Sequence, residues 1–185
     1  MSTGEQVRRF QASMVHLEIE DPRHGDAEWC FRHYFAELNM RFEKGFNPAQ
    51  SISAQAHELV PPTGLLLVAR LRGEVIGCGA LKFHGKEFAE VKRMWVVKRR
   101  RGLGIARRLL HALEECAAEA GVRQLRLETN QALHEAIALY KSSGFAEVKA
   151  FNTEPYAHHW FQKSIETHRG SPARTGRYMK ADKPQ

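Results

Sequence analysis

The chain has few cysteines and no long apolar run, and each shortage excludes a class of protein. Cys30, Cys78 and Cys116 are odd in number and far apart, so neither a disulfide framework nor a Cys-x-x-Cys metal or redox pair can be drawn from them. The longest apolar run, Leu65 to Ala69, stops at Arg70, and the first twenty residues already carry Arg8, Arg9, Glu18 and Glu20. Neither a membrane span nor a signal peptide fits that pattern, and the expectation is a soluble, cytoplasmic protein with no membrane partner. Internal repeats and low-complexity core segments are lacking as well. What remains is 185 residues with 43% apolar side chains, enough for one domain with a true core and too little for two large ones.

Acidic residues are outnumbered, and the net charge of +7 invites a nucleic-acid reading, so its distribution decides. Residues 1–63 carry 6 basic and 9 acidic side chains, residues 64–113 carry 12 and 3, residues 114–167 carry 5 and 8, and residues 168–185 carry 5 and 1. The excess therefore sits in one central segment and a C-terminal tail. Lys92, Arg93, Lys98, Arg99, Arg100, Arg101, Arg107 and Arg108 crowd into seventeen residues, with no acid between Val91 and Leu113. Interleaved aromatics, the mark of a base-stacking surface, are missing from Lys98 to Arg101, so no nucleic-acid partner is expected.

Residues 1–13 show no persuasive pattern and read as an N-terminal extension; residues 168–185, rich in Gly, Pro, Ser and charge, read as a flexible basic tail. Between them, residues 14–167 form one domain. "MVHLEIE" from Met14 alternates as a strand would, and Asp26 precedes a helix bearing Trp29, Phe31, Phe35, Leu38 and Phe42 at helical spacing. A weaker helix over Ser51 to Leu59 ends at Pro61-Pro62. "GLLLVARL" and "EVIGCGALKF" read as a hairpin about Arg72-Gly73, and Phe88 to Val97 as a third sheet strand. The period then changes to 3.6: Ile105, Leu109, Leu113, Cys116 and Ala120 form one stripe closed by Gly121. "QLRLET" is a strand, "LHEAIALYKSSG" a short helix, and "FAEVKAF" and "HHWFQKSI" are two final strands. The order β-α-α-β-β-β-α-β-α-β-β predicts an α/β (α+β) fold with a mixed, mostly antiparallel sheet and helices on both faces.

The strongest local signal is "VKRRRGLGIARRLL". Glycines at 102 and 104 just before a helix permit a tight turn that presents unpaired N–H groups where the helix dipole also favours an anion. A tight turn beside a solvated basic face would look the same, and neither Walker nor Rossmann spacing is present. Two motifs together go further. Arg101, Gly104 and Ala106 match the Gln/Arg-x-x-Gly-x-Gly/Ala pyrophosphate motif of the GCN5-related N-acetyltransferases (GNAT), directly after a strand and before a helix. Ala138, Leu139, Tyr140, Gly144 and Phe145 match the family's later "ALYxxxGF" element. The chain thus resembles GNAT proteins over about Met14 to Thr167, and is most similar to the acetyltransferase half of bacterial MarR-type regulator fusions through "YFAELNMRF", "GCGALK", "EVKRMWV", "LRLETN" and "EPYAHHWF". No winged helix precedes it here, so no DNA-binding role is carried over.

The resemblance implies an acetyl-CoA-dependent N-acetyltransferase, transferring an acetyl group directly to a primary amine in a ternary complex. It implies that the cosubstrate's pyrophosphate lies on the amides of Gly102, Leu103, Gly104, Ile105, Ala106 and Arg107, with Arg101, Arg107 and Arg108 as local cations. Its pantetheine arm would pair with the backbone of Met94, Trp95 and Val96 as an added strand, the Val96 N–H polarising the thioester carbonyl. Glu90, eleven residues before Arg101, matches one family position for the base and is the first choice, with Glu128, which matches another, as the second; either could instead be a strand carboxylate paired with Lys92 or Arg126. Tyr140 matches the acid that protonates the leaving thiolate, although on spacing alone it joins a core stripe with Leu133 and Ile137. The asparagine that many members place seven residues earlier is Leu133 here, with Asn130 nearby but off register. This gap, with the kinship to regulator fusions, keeps open a coenzyme A-binding sensor or scaffold without turnover. His158 and His159 lack carboxylate or cysteine partners at ligand spacing, so no metal is expected. The acceptor (small-molecule amine, amino acid or protein amine) and a homodimeric state are left open.

Overall fold

The computed structural model describes residues 3–166 and 175–178. Seven strands, β1 (Val15–Ile19), β2 (Gly64–Leu71), β3 (Glu74–His84), β4 (Phe88–Val96), β5 (Gln124–Thr129), β6 (Ala146–Val148) and β7 (His159–Ser164), form one sheet in the order β1-β2-β3-β4-β5-β7-β6. All neighbours are antiparallel except β4 and β5, as expected of a mixed sheet. The helices are α1 (Thr3–Ser13), α2 (Gly25–Arg41), α3 (Ile105–Glu119) and α4 (His134–Ser142).

Hydrophobic burial on both faces explains the apolar run Leu65 to Ala69 that makes up most of β2. Leu65, Leu67, Ala69 and Leu71 join the larger core with Ile105, Leu109, Leu113 and Cys116 of α3. Leu66 and Val68 point the other way, toward Ala27 and Cys30 of α2. All three cysteines are free and buried. The hairpin between β2 and β3 turns on Arg72 and Gly73, both at positive φ (52° and 82°), the twist that a two-residue connection requires. The α3 stripe matches the expected one up to its end, where Ala120 is the C-cap and Gly121 (φ 78°) reverses the chain.

Two elements differ from expectation. Residues expected as an extension without structure form α1, an exposed helix whose Val7 and Phe10 point to solvent (51% and 61% exposed). It shows no core stripe because it is not held by apolar burial: Arg108 of α3 donates hydrogen bonds to the carbonyls of Ala12 and Val15. The helix expected over Ser51 to Leu59 shrinks to a 3-10 turn at Ala56–Leu59. Its first half is drawn out by the buried carboxylate of Glu154, which accepts from the Ser51 hydroxyl (2.9 Å) and the Ile52 N–H (2.8 Å). The basic tail lies mostly outside the described residues. Within it, Thr175–Tyr178 makes a 3-10 turn that buries Tyr178, whose hydroxyl donates to Glu115 on α3 (2.5 Å). Among the described residues no helix is long and apolar enough to cross a membrane.

The functional opening comes from the one parallel pairing. β4 and β5 are in register only at Ala89↔Leu125 and Glu90↔Arg126, and then part. β4 also carries a bulge: Cys78 faces Trp95 and Ala80 faces Lys92, leaving one extra residue on β4, with Arg93 at φ 57°. Past the bulge β4 stays bonded to β3 on one side and leaves its other edge free.

Candidate active site

Two cavities occupy the opening. The larger, about 520 Å³, runs from the start of α3 along β4 to α4 and α2. Met94, Trp95, Val96, Arg101, Gly102, Gly104, Ile105, Ala106 and Arg107 all line it, which brings together the residues expected to hold the cosubstrate. Leu103 is the exception, packing against the main core instead. Gly102 and Gly104 stand at φ 80° and 74°, and a Cβ at either would meet nothing within 4 Å. What demands glycine there is thus the left-handed backbone, not lack of room. The first backbone bond of α3 runs from the Arg108 N–H to the Gly104 carbonyl, so the N–H groups before it are free of the helix ladder and face an anion site. On β4, the Val97 N–H bonds the Ile76 carbonyl of β3, so strand alternation turns the Val96 N–H to the opposite edge, into the opening.

The cations divide in a way that the run of arginines conceals. Arg101 is tied down: its Nε donates to the Val96 carbonyl (2.9 Å) and its Nη2 to both oxygens of Glu37 on α2 (2.8 and 2.6 Å). Arg108, holding the start of the chain, is absent from the cavity lining. Arg107 lies on the rim beside Ser142 (2.9 Å). Arg100, not singled out from the sequence, lines the cavity with its Nε buried and unpartnered, while its Nη2 makes a long contact to Glu74 (3.4 Å). Arg100 and Arg107 are therefore the side chains best placed to meet phosphate.

Residues of α2 close the cavity's far wall. Glu37 also accepts from the Trp95 indole (2.9 Å) and pairs with Arg41, which reaches across to Glu135 and the Ala132 carbonyl at the start of α4. Arg41 is the main cause that holds the Glu135 carboxyl down at about 2, so this bridge between α2 and α4 is ionised across the physiological range.

The smaller cavity, about 90 Å³, lies beyond the bulge and is walled by Phe35, Phe42, Phe46 and Tyr156, whose rings touch one another with centroids 4.8–5.8 Å apart. Tyr34, Leu38, Met94, Leu133, Ala136 and Tyr140 belong to both cavities, so the two meet there. Tyr140 is 6% exposed, burial raises its phenol well above the usual range, and its hydroxyl makes no hydrogen bond among the described residues. Burial likewise raises Tyr34 to about 12. Sequence reading missed Tyr34; its signal was the spacing of Tyr34, Leu38 and Arg41, a helical face that shares Leu38 with the aromatic stripe.

The two carboxylates considered as bases are not equivalent. Glu128 lines the smaller cavity; Glu90 lines neither. Buried Lys92 stands between them, paired with Glu128 and 3.4 Å from Glu90, which also meets His84 at 2.8 Å. Burial works to raise Glu90, but the Lys92 charge and the His84 hydrogen bond outweigh it and hold its carboxyl below the ordinary value. Arg126, the other partner considered, instead lies over the ring of Phe88 (4.2 Å). Asn130 spends its amide on the Tyr156 carbonyl (2.7 Å) and the Ala132 N–H, shaping the turn into α4. His159 pairs with Glu147 (2.6 Å), and neither it nor His158 lines either cavity.

A strand-bound opening, an anion site at a helix start and a buried phenol where two cavities meet define an acyl-group transferase site of the acetyltransferase type. The chain belongs to the acetyltransferase (GNAT) family, whose model matches residues 27–145. Over 99 residues it is 43% identical to the IAA acetyltransferase of Azospirillum brasilense, an alignment covering 53% of this chain and 63% of that protein. The chain thus spans about three fifths of the length of the first curated relatives it matches. Among solved structures, a GNAT-family acetyltransferase from Staphylococcus aureus superposes with a TM-score of 0.70 at 16% identity, covering 81% of this chain and 99% of that one. A GNAT acetyltransferase from Elizabethkingia anophelis with acetyl-CoA bound superposes at 0.53 and 15% identity, over 83% and 98%. At such identities these two likenesses show the fold alone.

Proposed function

We propose that this protein is an acetyl-CoA-dependent N-acetyltransferase that moves the acetyl group directly to a primary amine with both substrates bound. The observation that carries this reading is the meeting of the two cavities at Met94 and Tyr140, the larger fitted to a long polyanionic thioester and the smaller to an acceptor. No cysteine lines either cavity, which favours direct transfer over a thioester formed on the enzyme. Relatedness to the acetyltransferase half of MarR-type fusions is part of the same proposal, and rests on the sequence likeness.

The chemistry needs a neutral amine. Removing a proton at pH 7 costs about 4.6 kcal/mol for a lysine-like ammonium and about 1 kcal/mol for an α-amine. Glu128 is the carboxylate placed to take that proton, directly or through water, while Lys92 and the Asn152 amide (3.4 Å) hold it. Glu90 then acts behind Lys92, setting the charge balance. As the amine nitrogen bonds to the thioester carbon, the Val96 N–H takes up the negative charge growing on the carbonyl oxygen. The carbon–sulfur bond breaks, the Tyr140 hydroxyl, kept protonated by burial, hands its proton to the sulfur, and the second proton, shed by the nitrogen as it becomes an amide, returns through water to the Tyr140 oxygen.

The test is thiol release from acetyl-CoA with a panel of amines, beside calorimetric binding of acetyl-CoA. Saturable binding and amine-dependent release are expected, with Glu128→Gln slower than Glu90→Gln. Failure to bind acetyl-CoA refutes the reading. A second reading has one specific support: Lys92 pairs with both carboxylates, which suits a domain that binds coenzyme A without turnover. Binding without release on any amine, and no change on Tyr140→Phe, would establish it.

A further inference from the structure

Arg93, half-buried, is the charge at the smaller cavity that the transfer chemistry does not use. Its guanidinium is stacked between Phe31 (4.8 Å) and Phe35 (4.4 Å) of α2, and its Nη2 donates to the Ala54 carbonyl (2.8 Å). Its Nε and Nη1 are buried and bond nothing. Other charges around the smaller cavity are matched: Lys92 by Glu128 and Glu90, Glu154 by the Ser51 hydroxyl and the N–H groups of Ile52 and Tyr156. Arg93 has no carboxylate partner among the described residues; the groups acting on it are Tyr34 and Cys78, and desolvation lowers its pKa.

A half-buried guanidinium without a counter-charge is costly, and its two buried, orphaned donors add to the cost. Its site is nevertheless built: the β4 bulge, which puts Arg93 at positive φ, brings the residue under the 51–54 segment, and Arg93 lines the cavity beside Ser51 and Ser53. The Ser53 hydroxyl donates to no described group, so a second donor stands free on the same wall. Glu128 and the aromatic wall of Phe35, Phe42 and Phe46 line the same cavity.

We propose that the acceptor is a primary amine that also carries a carboxylate, an amino acid in the broad sense, with its carboxylate held by Arg93 and Ser53 and its amine presented at the Glu128 end. This deepens the reading above and rests on it. Binding supplies the missing counter-charge and lets apolar carbon lie against Phe35, Phe42 and Phe46. It also sets the direction of the acceptor, since a carboxylate drawn to Arg93 leaves the amine end toward Tyr140.

The experiment compares amines in matched pairs that differ only in the carboxylate: phenylalanine with phenethylamine, leucine with isopentylamine, and 4-aminobutyrate with propylamine. Each is followed by thiol release, with thermal melting of the full chain in the same acceptors. In the wild type the carboxylate-bearing member of at least one pair is favoured in kcat/KM by about tenfold or more, as one charge-assisted hydrogen bond provides. Arg93→Met brings that ratio close to one. The same acids raise the melting temperature of the wild type and not of the variant, and the variant by itself melts no lower than the wild type, since it loses an unpaired charge. Amines used as well as their acids, or a variant that melts lower and loses both members equally, would overturn the proposal while leaving the transferase reading intact. With acetyl-CoA bound but no turnover of any pair, the melting shift decides, and its absence counts against Arg93. Loss of acetyl-CoA binding altogether is the separate failure of the underlying reading.

Discussion

Replacing Lys92 by methionine probes the centre of the site, because a chain of nearly equal length is kept while the charge between two carboxylates is removed. Lys92 is 6% exposed and stands 3.4 Å from Glu90 and within hydrogen-bonding reach of Glu128. At an effective dielectric of about 20, each such pair is worth about 5 kcal/mol of gross attraction. Desolvation offsets much of this, and breaking a buried pair typically costs about 3–5 kcal/mol net. For a chain of this size that corresponds to a melting temperature lower by roughly 6–20 °C. The pH dependence separates lost charge pairing from lost packing. In the wild type Glu90 is held below its unfolded value, so its stabilisation is present above about pH 4.3 and is lost as pH falls through the folded pKa. In Lys92→Met burial acts on Glu90 without the lysine's charge, so the penalty is fully present at neutral pH and relieved as Glu90 takes up a proton. Melting curves of both proteins from about pH 8 down to about pH 5 should show the gap narrowing toward acid. A gap independent of pH, or smaller than about 2 °C, would mean that Lys92 is not the counter-charge described here.

Other perturbations reach the remaining parts of the site. Tyr140→Phe removes a hydroxyl without a described partner, so the melting temperature holds while kcat falls roughly ten- to hundredfold, the low end of acid catalysis because a thiolate of pKa near 8.5 leaves without much help. At Gly104 a Cβ has open space around it, but Gly104→Val forces a branched side chain into φ 74°. A cost of about 1–2 kcal/mol and a raised KM for acetyl-CoA in steady-state kinetics are expected. Glu154→Ala strands the Ser51 hydroxyl and the Ile52 and Tyr156 N–H groups. It should destabilise by about 1–3 kcal/mol and raise the acceptor's KM while leaving that for acetyl-CoA in place.

Local patterns carried much of the architecture. The α3 stripe, the hairpin at Arg72-Gly73 and the switch from period 2 to period 3.6 around Gly102 and Gly104 depend on neighbouring residues alone, and each was legible in the chain. The weak helix before Pro61 was not, because what draws it out is Glu154, more than a hundred positions away. Helix α1 showed no stripe since its anchor is one arginine on another helix, an interaction with no periodicity to read.

Within the site the division has the same cause. The sequence by itself determined which backbone holds the anion, since left-handed glycines before a helix start create free N–H groups wherever they occur, and it marked Tyr140, Glu90 and Glu128 as candidates. Only the tertiary structure decided among like residues: which arginine of Arg100, Arg101, Arg107 and Arg108 faces the cavity, which glutamate lines the acceptor side, and that Lys92 stands between them while Arg93 has no counter-charge. Neighbouring cations have the same chemistry in a chain. They acquire different roles when a splayed strand pair, a bulge and a facing helix set which is paired, which is sealed and which is open to a ligand.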